Sequence, residues 1–119
     1  MEDNIDLDLA ARAVRDYQRR RRDQGIVVGD LTWRDGSDQW PAPLRVDRAE
    51  VKVPYSIGVE CSKGLQEGRV VLYRGGWADL EYWSGSADDE PIVEAPGWGS
   101  WLSIEALVAL LDRFGALFD

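Results

Sequence analysis

The run "GRVVLYRGGWADLEYW", residues 68 to 83, decides how this chain folds. Two stretches of strand-forming residues, 69–73 and 77–83, are separated only by Arg74, Gly75 and Gly76. β-Branched and aromatic side chains suit extended backbone, and a short glycine-rich connection supplies the positive φ that tight hairpins demand. The segment is therefore expected to be a β-hairpin. In its second stretch Ala78, Leu80 and Tyr82 alternate with Trp77, Asp79, Glu81 and Trp83. Successive side chains of a strand point to opposite faces, so only one of these sets can be core. Burying two carboxylates without partners is costly, and the Asp79 and Glu81 set is expected to face water or another protein.

Upstream, residues 51–61 give a period of two. Val51, Val53, Tyr55, Ile57, Val59 and Cys61 fall on one side, Lys52, Pro54, Ser56, Gly58 and Glu60 on the other. This reads as a strand with one buried face. Pro54 cannot donate a ladder hydrogen bond, which predicts an edge strand or a bulge. "GIVVGDLTW", residues 25–33, reads as a first strand, and the proline-bearing "WPAPLRVD", 40–47, as a loop or irregular edge. Residues 5–23 carry Ile5, Leu9, Ala10, Ala13, Val14 and Tyr17 at three- and four-residue spacing, the pattern of an amphipathic helix.

The chain closes with "SWLSIEALVALLDRFGALFD". Ser103 is positioned as an N-cap, Leu102 as a staple to Leu107, and Glu105 lies in the first turn, where negative charge is favoured. Ile104, Leu107, Val108, Leu111, Phe114 and Phe118 form the apolar stripe. A helix, several strands with short connections and a second helix make an α+β fold. The expectation is an antiparallel sheet of about five strands, with an N-terminal and a C-terminal helix packed on one face. Trp98 and Trp101 are expected to fill the core around the closing helix.

At 119 residues and 45% hydrophobic content, the chain is read as one domain, 1–119, with a core of its own. It holds no apolar run of membrane-spanning length and begins with acidic rather than basic residues, which points to the cytoplasm and to no membrane partner. Cys61 has no second cysteine to pair with and reads as a small buried apolar residue. With no histidine, the commonest general base and transition-metal ligand are both missing. The lone thiol has no base beside it, and the glycines fit no phosphate or dinucleotide loop. No catalytic residue, metal site or cofactor is therefore assigned. "ADDEP", residues 87–91, lacks the spaced ligands of a calcium loop and reads as a solvated acidic turn.

The formal net charge is −8, an unfavourable balance for neutralising phosphates, so nucleic acid is not expected as a partner. The cluster Arg19 to Arg22 lies where positive charge complements a helix C-terminus, with Gly25 placed to supply a left-handed cap. Between Gly75 and Asp112 stand eight carboxylates, at 79, 81, 88, 89, 90, 94, 105 and 112, and no lysine or arginine. Charge of one sign steers a basic partner, and tryptophan supplies rigid contact area.

The hairpin "YRGGWADLEYW", 73–83, resembles the central signature of the TriTu-type immunity proteins of bacterial polymorphic toxin systems: an aromatic residue ends one strand, a glycine turn follows, then an Asp-Leu-Glu strand. Here these are Tyr73, where the family more often has tryptophan, then Gly76, then Asp79, Leu80 and Glu81. The wider layout over 5–118 is similar, while "WPAPL" and "APGWGSW" depart from the pattern. The resemblance implies a small non-catalytic protein that occludes a cognate toxin, a basic domain such as a nuclease. Trp77, Asp79, Glu81, Trp83, Asp88, Asp89, Glu90 and Glu94 would form the toxin-binding surface. Two readings from other classes are a homodimeric structural or adaptor domain using an edge strand or the tryptophan face, and a carbohydrate-binding or hydrolysing domain.

Overall fold

The hairpin lies inside the sheet and not at its margin. A computed structural model describes residues 3–22 and 24–119. Helix α1, Leu7–Arg22, is followed by strands β1, Val27–Val28, and β2, Thr32–Asp35, then a single 3-10 turn, Arg48–Glu50. Strands β3, Pro54–Lys63, β4, Gln66–Tyr73, β5, Ala78–Trp83, and β6, Ile92–Glu94, lead to helix α2, Ile104–Ala116. All pairings are antiparallel, in the order β1-β3-β4-β5-β6, with β2 also paired to β3.

The architecture is the α+β one expected from the sequence, an antiparallel sheet with both helices on one face. α1 begins two residues later than the spacing predicts; Asp23, its expected end, lies outside the described residues. Gly25 has φ +79°, the left-handed conformation its place after the helix requires. Ser103 caps α2, its hydroxyl accepting from the Ala106 amide.

One expectation about the strands needs correction, and another is met by its second alternative. "GIVVGDLTW" is not one strand: the chain leaves the ladder between Val28 and Thr32, giving β1 and β2, which pair in turn along β3. β3 is accordingly not an edge strand, since β4 flanks it on the other side. Of the two alternatives expected from Pro54 the bulge is the one found: Arg34 and Asp35 face Ser56 and Pro54, so Tyr55 of β3 is the extra residue at this register shift, and Pro54 is the first residue of the strand.

The core is one cluster. Ala10, Val14 and Tyr17 of α1 and Leu107, Leu111 and Phe114 of α2 join Ile57, Val59 and Cys61 of β3, Val70 and Leu72 of β4, and Ala78 and Leu80 of β5. Phe118 meets both Tyr82 and Phe114 edge to face, with centroids 5.1 and 5.4 Å apart. Burial raises the pKa of the Cys61 thiol, which keeps it a neutral thiol. Among the described residues no helix is long and apolar enough to cross a membrane.

Asp35, buried at the end of β2, organises the long connection to β3. Its carboxylate accepts from the Ser37 hydroxyl at 2.7 Å, the Ser37 amide at 2.8 Å, and the Lys52 and Val53 amides at 2.7 and 3.1 Å. The Ser37 hydroxyl and then these amides hold its pKa well below the usual carboxylate range. A depressed native pKa contributes stability above the unfolded aspartate value of about 3.9 and loses it as pH falls through the lower native value. The urea midpoint is therefore expected to fall as pH drops below about 4. Asp35→Asn should be less stable at neutral pH and show a flatter acid limb; an unchanged limb would remove Asp35 as its source.

A candidate protein-binding face

The helices cover one side of the sheet. Directly paired residues of antiparallel strands share a face, so the register assigns what lies on the other. One row carries Arg34, Ser56 and Tyr73, the next Thr32, Gly58, Val71 and Asp79. A third carries Glu60, Arg69, Glu81 and Val93, and a fourth Val27, Ser62, Glu67 and Trp83. Tyr73 stacks on Trp77 with ring centroids 4.2 Å apart, extending the first row.

Trp77, Asp79, Glu81 and Trp83 thus lie together on the side opposite the helices, as the alternation in β5 requires. Trp77, Asp79 and Trp83 are half-buried and Glu81 is exposed. Each of the four is held by a neighbour. The Tyr73 hydroxyl donates to Asp79 at 3.0 Å, and burial, followed by this bond, pushes the phenol up to about 12, so it stays a donor. Arg69 pairs across the strands with Glu81 at 3.1 Å, and the Trp83 indole donates to the Ser86 carbonyl at 3.1 Å.

The other four expected contact residues lie elsewhere. Asp88, Asp89 and Glu90 occupy the exposed turn between β5 and β6, where Asp89 accepts from the Ser84 hydroxyl at 2.6 Å. Glu94 pairs with Leu80 in the ladder and so points to the helix side, where Arg113 of α2 binds both its oxygens at 3.0 and 2.7 Å. The eight carboxylates do not form one field, because Arg69, Arg113 and Arg20 lie against Glu81, Glu94 and Asp112.

The expectation for Trp98 and Trp101 is overturned. Both are outside the core, 71% and 70% exposed. Trp98 is carried by a turn between Gly97 and Gly99, both at positive φ, and this turn holds the indole off the helix. Trp98 meets Trp77 edge to face at 4.9 Å. At the β2 margin Trp40, 69% exposed, lies under the Arg34 guanidinium at 5.4 Å. Trp40, Arg34, Tyr73, Trp77 and Trp98 consequently form an aromatic and cationic rim along one end of the face.

Sequence reasoning missed Trp40, Trp98 and Glu60 as members of this surface. A signal for Trp98 was present: a tryptophan flanked by glycines after a proline sits in a turn, and turns run over the surface. Glu60 could be placed only once β3 proved to be paired on both sides.

A trough of about 380 Å³ crosses this face, with Gly58, Ser56 and Val71 among the residues that line it. Gly58 has no side chain to fill it; a Cβ there would lie 3.3 Å from Thr32 Oγ1 and 3.4 Å from Val71 Cγ2. A second depression, on the Trp83 side, shares Gly29, Glu60 and Arg69 with the first. The arrangement suits binding: side chains ordered in advance, large aromatics at the rim and a concave centre. Comparison with protein-family models, curated proteins and solved structures finds no match for the chain.

Proposed function

We propose that the chain is a non-catalytic protein of the immunity type, which binds a basic toxin domain in the cytoplasm and blocks it by occlusion. The observation that carries this reading is the face opposite the helices: it has no covering layer, yet it bears ordered carboxylates and half-buried Trp77 and Trp83, with exposed Trp98 and Trp40 at its rim. Rigid aromatics beside charge are what binding hot spots are made of. The hairpin resemblance adds the class of partner. Protection of a cell calls for nanomolar affinity, about −12 kcal/mol, and a few desolvated anchors supply most of such an energy.

Edge-to-edge pairing of two copies is a weaker reading. β6 is three residues long and lies between Pro91 and Pro96, a blunted edge that offers few ladder hydrogen bonds.

The test is co-expression with the C-terminal domain encoded by the upstream neighbouring gene, scored for a stable complex and for rescue of growth. Both are expected. Absence of both, with concentration-dependent dimerisation of the chain alone, would overturn the proposal in favour of a homodimer. Because the chain carries −8, association should also slow at least about tenfold between low and high salt. A rate indifferent to salt would argue against steering.

A further inference from the structure

We infer that the trough over Gly58 is a seat for one cationic side chain, an arginine or lysine presented by a basic segment of the protein partner. This rests on the reading of the face as a docking surface, and names the chemistry it accepts.

The charge count in the trough carries the inference. Asp30, Glu60 and Asp79 line it together with Arg34 and Arg69. Arg69 is matched by Glu81 at 3.1 Å, and Arg34 lies over the Trp40 ring. Among the described residues Asp30 and Glu60 form no ion pair and no side-chain hydrogen bond, Arg69, which lies across the ladder from Glu60, being turned to Glu81, and Asp79 has only the Tyr73 hydroxyl. Three carboxylates thus line a concave site in which Arg34 is the one cation not already held by another carboxylate. A guanidinium or ammonium group fits that imbalance, since it donates and carries positive charge.

The walls fit the rest of such a side chain. Leu44, Val46 and Val71 line the trough with apolar surface suited to the methylene stem of arginine or lysine. Leu44 and Val46 are otherwise exposed, at 57% and 62%. Stem against aliphatic wall and head against Glu60 and Asp79 is one consistent pose, and the missing side chain at Gly58 makes the room for it.

The test uses the intact chain and two synthetic peptides, (Arg-Gly)5 and its neutral isostere (citrulline-Gly)5, with calorimetry as the readout. The arginine peptide should bind and the citrulline peptide should not. Glu60→Gln with Asp79→Asn should raise Kd at least about tenfold. Asp88→Asn with Glu90→Gln, which changes net charge equally in the exposed turn, should raise it less than about twofold. Gly58→Val should block binding with all charges kept, and a thermal melt checks that each variant is folded.

Equal weakening by the two charge pairs would overturn the inference, because it would reduce the effect to general attraction. So would equal binding of the two peptides, no binding at about 1 mM, or a dimer dispersed by the trough variants, which would give the site to a second copy. The immunity reading is separable from this. Trough variants that lose the peptide yet still neutralise the toxin would overturn the seat alone; peptide binding without any toxin complex would overturn the immunity reading alone.

Discussion

Gly68→Val is expected to destabilise the protein by about 3 kcal/mol, enough to remove a large part of its folding free energy. Glycine in a strand interior is ordinarily a weakness, and adding a side chain there gains about 0.5–1 kcal/mol from backbone entropy. Here packing reverses the sign. A Cβ on Gly68 would lie 2.7 Å from Phe114 Cε1, 2.9 Å from its Cζ and 3.0 Å from the Glu81 carbonyl oxygen. Phe114 is fully buried between the sheet and Phe118, so its ring has nowhere to go. Overpacking of this kind costs about 1–3 kcal/mol, and the second branch of valine puts the variant at the upper end. The measurement is a urea or thermal unfolding curve. The decisive comparison is a double-mutant cycle of Gly68→Ala with Phe114→Leu, in which removing the ring should recover part of the loss. Strict additivity would locate the cost in the backbone and not in the ring.

The second large effect concerns binding. If the proposed immunity function holds, Trp98→Ala and Trp83→Ala are each expected to weaken affinity for the toxin domain by about 2 kcal/mol, roughly thirtyfold in Kd. The two variants differ in what they should do to the free protein. Trp98 is 71% exposed and outside the core, so its loss should leave the melting temperature unchanged. Trp83 is half-buried and bonded to the Ser86 carbonyl, and a small drop is expected. Binding losses that merely track loss of stability would sink the assignment of these indoles to the interface. Glu81→Ala is a poorer probe, because it also strips Arg69 of its partner.

Much of the fold could be read before any coordinates. Alternation in β5 separated Ala78, Leu80 and Tyr82 from Trp77, Asp79, Glu81 and Trp83, because a strand has period two and a carboxylate is costly to bury. The same rule gave the buried Ile57, Val59 and Cys61 of β3, and Ser103 marked the start of α2. Pro54 shows where the rule stops. A proline limits hydrogen bonding at its own position, but whether the strand beyond it is an edge depends on which distant segment pairs with it.

The candidate site was legible only in part, for a physical reason. Composition along the chain placed eight carboxylates together and implied one acidic field. Charge acts through space, and folding brought Arg69, Arg113 and Arg20 against three of them, leaving the other five apart: Asp79 in the trough, Asp88, Asp89 and Glu90 in the exposed turn, and Glu105 at the start of α2. Trp98 failed in the opposite sense: a large apolar side chain predicts burial on average, and the glycine turn holds this one outside. What the sequence determined by itself was local and periodic: the hairpin, the two helices, the faces of β5 and the absence of histidine chemistry. What only the tertiary structure decided was which charges neutralise one another, which indoles meet solvent, and that Gly58 and Glu60 of β3 and Asp79 of β5 line one trough. Those outcomes depend on contacts between residues far apart in the chain, and no window of sequence contains them.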